Sequence, residues 1–197
     1  MEKHNNKSKE MQHLARKVDF LDSPERAKSF PPNELLKMLS IKSTDMILDL
    51  GSGSGYLTIP AAQMIDGFVY ALDIDHKMLD VLESKTAAAN ISNIKLVQGR
   101  TDSIPLPDDS IDIVLASLIL HEVQPLSETI QQIKRVLKKG GQFLCLEYEK
   151  TEGSTDGPPM HIRIPSSVME QELINAGFMI TRKEFSEDSL YVVTATS

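Results

Sequence analysis

Three alternate glycines in the stretch LDLGSGSGYLTIPAA, residues 48–62, restrict the fold of this chain more than any other feature. Gly51, Gly53 and Gly55 follow an apolar run and precede a helix-like pattern. Glycine adopts backbone conformations that a Cβ disfavours, and the first N–H groups of a helix attract polar and anionic ligands. The stretch therefore predicts a strand, a tight loop and a helix, with a ligand pressed against bare backbone.

Short β-rich runs alternate with longer helical patterns through most of the chain. The predicted strands cover residues 45–50, 67–74, 93–99, 110–120 and 142–149, and the predicted helices cover 56–65, 76–90 and 126–141, the last capped by Ser127 and closed by Gly140. The fourth strand is continuously apolar, as strands buried on both faces of a parallel sheet are. The alternation predicts a doubly wound α/β sheet, which binds ligands outside the carboxyl ends of its strands.

The two ends of the chain differ from this alternation. A helix over 165–178 is followed by strands over 178–187 and 189–196, which are close enough to form an antiparallel hairpin. Residues 11–41 read as a helical cap or lid over the mouth of the site, and residues 1–10 as a polar, disordered tail. Residues 42–197 then form the ligand-binding domain.

Charge and cysteine content exclude several classes of function. The formal net charge of −7 disfavours nucleic acid as a partner. A single cysteine, Cys145, excludes an internal disulfide and any metal site built on two thiolates, so no metal site is predicted. We find neither a signal-like apolar segment nor the roughly 20 apolar residues of a membrane span. A cytoplasmic protein that does not engage a membrane is the expectation.

The glycine spacing departs from the dinucleotide fingerprint G-x-G-x-x-G. The third glycine comes one position early, and Tyr56 stands at the last position of that fingerprint. That glycine lets the helix pack closely on the strand, which a tyrosine does not allow. The spacing argues against a nicotinamide-dependent oxidoreductase.

The spacing D-x-G-x-G-x-G at residues 49–55 resembles the first motif of the class I S-adenosylmethionine (SAM)-dependent methyltransferases of small-molecule type. Three further stretches resemble later motifs of that family: ALDIDHKML (71–79), GRTDSIPLPDDSIDIV (99–114) and LKKGGQFL (137–144). The resemblance covers about residues 40–195. It implies a Rossmann-like sheet of seven strands in the order 3-2-1-4-5-7-6, ending in an antiparallel hairpin.

The resemblance also implies which residues bind the cofactor. Asp49 and the loop residues Gly51, Ser52, Gly53 and Gly55 would hold the methionine part of SAM. Asp73 would accept hydrogen bonds from the ribose hydroxyls. The alternative is that Asp73 caps the following helix, a role for which Asp75 is a second candidate. Ile74 would pack on the adenine. The remaining cofactor-binding candidates are Arg100, Thr101 and Asp102 near the adenine, and Ser117 and Leu118 near the sulfonium.

Arg100 is a departure from the family pattern, which often has an aspartate facing the adenine amino group. Either the adenine contact passes to Asp102 or to the backbone, or Arg100 points away.

Two histidines are the candidate catalytic residues. His121 follows the fourth strand, and His161 lies on a Gly-Pro-Pro loop with Arg163. Histidine titrates near neutral pH and serves as a general base, which is needed only when the methyl acceptor arrives protonated. The candidate substrate contacts are Arg26, Phe30, His121, Glu147, His161 and Arg163. Alternatives stay open for these residues. His121 can be a loop histidine without a catalytic role, Glu147 can form a salt bridge at a strand end, and the segment with Arg26 and Phe30 can be a purely structural cap.

The predicted function is methyl transfer by in-line displacement from SAM to a small molecule, leaving S-adenosylhomocysteine. An RNA or protein methyltransferase is an alternative, favoured if Lys134, Arg135, Lys138 and Lys139 form a basic stripe at the pocket mouth. A SAM-binding protein without catalysis is another alternative, since its cofactor-binding residues would be identical to those of an enzyme. The sequence leaves open a monomer or a homodimer.

Overall fold

One mixed β-sheet organises the computed structural model, which describes residues 30–151 and 157–197 together with positions 12, 14–16, 18, 19, 21–23 and 28. Its strands are β1 (Ile47–Leu50), β2 (Val69–Asp73), β3 (Ile94–Gln98), β4 (Ile111–Ser117), β5 (Leu137–Tyr148), β6 (Met179–Phe185) and β7 (Leu190–Thr196). They lie in the order β3-β2-β1-β4-β5-β7-β6, as the sequence predicted.

The first five strands are parallel, and β7 pairs antiparallel with both β5 and β6. The predicted C-terminal hairpin is therefore confirmed. The strand order reverses beside β1, between β2 and β4. In open sheets of this kind such a reversal opens a crevice at the carboxyl ends of the strands.

Helices cover both faces of the sheet. They are α1 (Pro32–Lys37), α2 (Thr58–Met64), α3 (His76–Ala88), α4 (Leu126–Val136) and α5 (Ser166–Asn175), with a 3-10 turn over Leu120–Glu122. Neighbouring residues of β4 point to opposite faces, so Val114 joins the apolar cluster that includes α4 and α5, and Ile113 the cluster that includes α1 and α2. The doubly wound arrangement is confirmed.

The helix predicted over 126–141 is five residues too long at its C-terminal end. α4 begins at Leu126, so Ser127 lies inside its first turn and is not the cap, and the helix ends at Val136. Leu137 already pairs with Ile111 of β4, and the register shifts before Gln142 pairs with Ile113. Gly140, with φ +76°, lies in this irregular stretch of β5 and does not close the helix. Pairing in the sheet outweighs the helical pattern here.

The segment before β1 is helical at each described position from 12 to 21. The proposed tail, residues 1–10, lies outside the described residues, and the boundaries at 10/11 and 41/42 stay predictions. No helix in the described part of the chain is long and apolar enough to cross a membrane.

Candidate functional site

The glycine loop joins β1 to α2 in left-handed backbone conformations. The φ angles are +63° at Gly51, +52° at Gly53 and +98° at Gly55. A Cβ on Gly51 would lie 2.4 Å from Cγ1 of Ile119, and one on Gly55 would lie 2.5 Å from Cδ1 of Leu82. Both the backbone conformation and the surrounding side chains therefore require glycine at positions 51 and 55.

Asp73 stands at the end of β2 and holds this loop. Its Oδ2 accepts a hydrogen bond of 2.9 Å from the Gly53 N–H, and its Oδ1 accepts one of 2.9 Å from the Asp75 N–H. Asp75 is the residue that caps α3, accepting from the Lys77 N–H at 3.1 Å. The alternative of Asp73 as the helix cap is therefore wrong. Each carboxylate oxygen has a second lone pair, so Asp73 keeps the capacity to accept from a ligand.

Asp49 is buried, and its Oδ2 accepts a hydrogen bond of 2.5 Å from Oγ1 of Thr58, the first residue of α2. This contact joins the two ends of the glycine loop. Direct contact between Asp49 and a cofactor stays a prediction.

A cavity of about 320 Å³ opens beside the glycine loop at the carboxyl ends of the strands. Ile74 lies in its wall with 63% of its surface exposed, an unusual position for a large apolar side chain. The volume is in the range of small-molecule sites. The lining residues are Gly51, Leu72, Asp73, Ile74, Gly99, Arg100, Thr101, Asp102, Ile119, Glu122, Val123 and Gln124.

Ser52 carries a buried hydroxyl for which the described residues provide no hydrogen-bond partner. Buried polar atoms nearly always have a partner, supplied by the protein, by water or by a ligand. This hydroxyl lies in the middle of the glycine loop, next to Gly51, which lines the cavity.

Arg100 and Asp102 pair with each other on the rim of the cavity. Nε of Arg100 donates to Oδ1 of Asp102 at 2.9 Å, and the Arg100 side chain is 65% exposed. The hydrogen bond from Arg100 lowers the pKa of the Asp102 carboxyl. Thr101, also on the rim, lies with its Oγ1 3.4 Å from that of Thr129. The structure thus brings the three predicted adenine-side residues to one rim.

Ser117 is the last residue of β4 and Leu118 follows it, and neither lines the cavity. Leu118 has a φ of +56°, a conformation that costs a non-glycine residue about 1 kcal/mol or more. Its N–H donates to the Leu146 carbonyl at 2.9 Å, which holds the turn that leads into the 3-10 helix. The predicted contact of both residues with the sulfonium stays untested.

His121 forms a buried pair with Glu147. Its Nδ1 lies 2.8 Å from Oε2 of Glu147, and the side chains are 8% and 1% exposed. Oε1 of Glu147 accepts from the Leu120 N–H at 2.8 Å. Burial by itself lowers the pKa of His121, but the hydrogen bond and the negative charge of Glu147 outweigh it, and the pKa is raised.

Three predicted substrate contacts have buried side chains in this fold. Glu147 is buried behind His121, with both oxygens engaged in hydrogen bonds. Phe30 is 7% exposed within the apolar cluster around α1. Arg163 is buried, donating from Nε to the Pro158 carbonyl at 2.9 Å and lying over the Tyr148 ring. All three side chains are buried in the described structure, and their predicted contact with a substrate stays a prediction. Arg26 lies outside the described residues.

His161 is exposed on the loop that follows β5, and it does not line the cavity. Its catalytic or substrate-binding role stays a prediction.

The proposed basic stripe does not form at the cavity. Lys134 donates to the Gly177 carbonyl at 3.0 Å, and Arg135 donates to the Ile104 carbonyl at 2.7 Å. Lys138 pairs with Asp112, and none of these side chains, nor Lys139, lines the cavity. The feature that would have favoured an RNA or protein substrate is therefore not present there.

Sequence reasoning missed several lining residues, above all Gly99, Ile119, Glu122, Val123 and Gln124. Gly99 follows β3 directly, so its position at the carboxyl edge of the sheet was a usable signal. The other four follow β4 in and around the short 3-10 turn, whose path the sequence pattern does not specify.

A family model described as a methyltransferase domain matches residues 48–145, about half of the chain. The match includes the glycine loop, Asp73 and the rim over 100–102. The chain belongs to the class I SAM-dependent methyltransferase family. The predicted family is confirmed.

Individual members of the family are similar to this chain at modest identity. The ubiquinone/menaquinone biosynthesis C-methyltransferase UbiE of Marinomonas sp. is 34% identical over 115 residues, 57% of this chain and 46% of that protein. The uncharacterised methyltransferase YcgJ of Bacillus subtilis is 27% identical over 143 residues, 71% of this chain and 56% of that one. The chain thus spans about half the length of the curated relatives it matches.

A solved structure matches more completely. The SAM-dependent methyltransferase from Aquifex aeolicus superposes with a TM-score of 0.84 at 26% identity, covering 92% of this chain and 97% of that one. The [4+2]-cyclase SpnF shares the fold at 18% identity with a TM-score of 0.76.

Proposed function

We propose that this protein transfers a methyl group from SAM to a small-molecule acceptor. The observation that carries the proposal is the cavity of about 320 Å³ whose wall joins the glycine loop, the strand-end carboxylate of Asp73 and the exposed Ile74. The glycine loop can contact a flexible polar chain, Asp73 can accept from a ribose, and Ile74 can pack on a flat base.

The described residues fit SAM. The loop lines the cavity with bare backbone at Gly51, and the buried Ser52 hydroxyl has no hydrogen-bond partner among the described residues. Asp73 has lone pairs left for ribose hydroxyls, and Ile74 presents apolar surface to an adenine. SAM, when bound, supplies a methyl group on a positively charged sulfur, which makes the methyl a good electrophile.

The protein's own part is then to bind, orient and exclude water. Asp73 fixes the loop by accepting from the Gly53 N–H, so the loop is in its binding conformation before a ligand arrives. The turn over Leu120–Glu122, of which Leu120 is buried, closes one side of the cavity, since Glu122 and the following residues line it. Preorganisation of this kind reduces the ordering that binding costs.

A small-molecule acceptor is favoured by charge and by the relatives. The chain is acidic, and Lys134, Arg135 and Lys138 form hydrogen bonds away from the cavity. Two of the similar proteins are named as a ubiquinone/menaquinone C-methyltransferase and a demethylmenaquinone methyltransferase. Those names support a small acceptor without identifying it here.

Calorimetric titration with SAM, S-adenosylhomocysteine and NAD tests the cofactor. We expect SAM to bind with a Kd near micromolar, about −8 kcal/mol, and NAD not to bind. Asp73→Ala should weaken SAM binding by about tenfold or more, since hydrogen bonds to a charged group are worth about 1.5–3 kcal/mol. Asp80→Ala, which removes an exposed carboxylate on α3, is the matched control. Binding of NAD without SAM would contradict the proposal.

Turnover separates an enzyme from a SAM-binding protein without catalysis. The likeness to a cyclase shows that this fold alone does not establish methyl transfer. Release of S-adenosylhomocysteine that depends on an added small-molecule acceptor, measured by mass spectrometry, is the expected result. Tight SAM binding with no such release across phenolic, amine, thiol and carboxylate acceptors would favour the binding protein.

A further inference from the structure

One edge of the molecule carries most of its exposed apolar surface. Among the described residues six large apolar side chains are exposed, and four of them lie on α5 and β6. These are Val168 and Ile174 on α5, and Met179 and Phe185 on β6, the last two being 66% and 56% exposed. Single exposed apolar residues are ordinary, but several on one edge mark a surface that contacts another molecule.

β6 is also the outer strand at this edge, with β7 on one side and no strand of the described chain on the other. The Ser186 N–H donates toward β7, to the Leu190 carbonyl at 2.8 Å. Because main-chain groups alternate in direction along a strand, those of Glu184 also point toward β7, and those of Lys183 and Phe185 point away from the sheet. A further strand can add through these outward groups.

The charges of β6 are complementary to a second copy of the same strand. Arg182 and Glu184 lie on one face, since both line a groove beside α1, and Nε of Arg182 donates to Oε1 of Glu184 at 2.7 Å. An antiparallel copy centred on Lys183 places the partner's Glu184 opposite Arg182 and the partner's Arg182 opposite Glu184. These pairs are of the non-hydrogen-bonded kind, whose side chains approach most closely. The four charges then alternate in sign.

Other registers of the same strand bring like charges together. A copy centred on Arg182 sets two guanidinium groups face to face, and one centred on Glu184 sets two carboxylates face to face. In the register centred on Lys183, the two lysines meet at the symmetry axis, but each is paired with Glu170 of its own α5. Charged residues on an edge strand usually prevent pairing. Here their order disfavours two registers and favours a third.

We propose that two copies of this protein associate through β6 as a symmetric dimer, with the two sheets joined edge to edge around Lys183. Regular pairing is confined to the part of β6 after the register shift between Ile180 and Arg182, so the contact is short and the dimer is reversible. No residue of α5 or β6 lines the cofactor cavity. The dimer therefore goes beyond the proposed function and does not depend on it.

Sedimentation equilibrium of the full-length protein over a range of concentrations tests the proposal. We expect a monomer–dimer equilibrium that weakens as salt is raised, because the facing charges are partly exposed. Arg182→Glu sets two carboxylates opposite two carboxylates of the partner, and Glu184→Arg does the same with guanidinium groups. Each variant should raise the dissociation constant of the dimer by about tenfold or more.

Mixing the two single variants tests the register itself. One strand is then acidic at both positions and the other is basic at both, so a heterodimer should form where neither variant dimerises alone. The double variant, with Arg182→Glu and Glu184→Arg in one chain, should also dimerise, since opposite charges again face each other. Glu83→Arg, an equal change of charge at an exposed position of α3, is the matched control and should leave the dissociation constant unchanged.

The possible results separate cleanly. A dimer that weakens in each single variant and recovers in the mixture and in the double variant supports the proposal. A monomer at every concentration overturns it, and a different partner then covers the edge formed by α5 and β6. A dimer that neither reversal weakens, or that mixing does not restore, also overturns it, because association then uses another surface or register. Should a single variant fail to fold, the unaltered protein and the double variant still decide.

Discussion

Three buried carboxylates at the carboxyl edge of the sheet each hold one local element. Asp49 binds the start of α2 through Thr58, Asp73 binds the glycine loop through Gly53, and Glu147 binds the turn after β4 through Leu120. Each hydrogen bond to a charged group is worth about 1.5–3 kcal/mol when its partner is buried. The geometry of the site thus depends on single side chains near the ends of three strands, β1, β2 and β5.

The pair of His121 and Glu147 makes stability depend on pH in a defined direction. The pKa of His121 in the folded protein lies above its ordinary value of 6.5, with Glu147 as the cause that outweighs burial. Protonation therefore favours the folded state, so this contribution is fully present below about pH 6.5 and is lost as pH rises through the folded pKa. We expect His121→Gln to cost most in the free energy of unfolding at pH 6 and less at pH 9.

Urea unfolding of the unaltered protein and the variant at several pH values measures this difference. His76, exposed at the start of α3, gives the control variant His76→Gln, whose effect should not follow the same pH course. A cost of His121→Gln that grew with pH would contradict the assigned direction.

At the scale of elements, the glycine loop is fixed by what surrounds it. Leu82 of α3 packs against Gly55, Ile119 after β4 packs against Gly51, and Asp22 reaches Ser54 from the preceding segment. The loop therefore has one arrangement, set by elements from three other parts of the chain.

Gly55→Ala should be strongly destabilising. The φ of +98° strains any L-residue, and the new Cβ would lie 2.5 Å from Cδ1 of Leu82. Gly177→Ala is the matched control, because φ is +81° there but no atom lies within 4 Å of the added Cβ. We expect the control to lose about 1–2 kcal/mol of the free energy of unfolding, measured by chemical denaturation. Gly55→Ala should lose about 1–3 kcal/mol more than the control. Equal costs would mean that Leu82 moves aside freely.

The segment before α1 is attached to the glycine loop by a small polar network. Oδ1 of Asp22 accepts from Oγ of Ser54 at 2.7 Å, and Oδ2 lies 2.5 Å from Nζ of Lys85. Lys85 also donates to the Ser54 carbonyl at 3.0 Å. A double-mutant cycle with Asp22→Asn and Lys85→Met should give a coupling of about 0.5–1 kcal/mol that falls with salt, as for partly exposed pairs. A coupling independent of salt would show that the Ser54 hydrogen bond, not charge, dominates.

Across the whole molecule, the sheet separates two apolar layers and buries Cys145 at its centre. Cys145 lies on β5 between Ala116 of β4 and Val193 of β7, and it is fully buried. Desolvation raises the pKa of its thiol well above the ordinary value. The thiol should therefore react only when the molecule opens globally.

Labelling of Cys145 by a thiol reagent then reports global stability and ligand binding together. We expect a labelling rate that follows the free energy of unfolding in dilute urea. SAM at one hundred times its Kd should slow labelling by about 100-fold, equivalent to about 2.7 kcal/mol. Rapid labelling of the native protein would show that the sheet opens locally around β5.

The sequence by itself determined the sheet and the edge at which the cavity opens. Alternating apolar runs and helical periods specify a parallel sheet, the short spacing at 187–189 specifies a hairpin, and Gly51 and Asp73 mark two strand ends. These are local signals, because periodicity and glycine spacing act within a few residues of one another.

Only the tertiary structure decided which side chains face the cavity. Phe30, Glu147 and Arg163 look like candidate contacts in the sequence, but packing buries all three. Ile119, Glu122 and Gln124 reach the cavity because the turn after β4 folds back over it. Such contacts join residues tens of positions apart, as Glu147 joins His121, and a pattern of neighbouring residues carries no information on which distant partner each side chain meets.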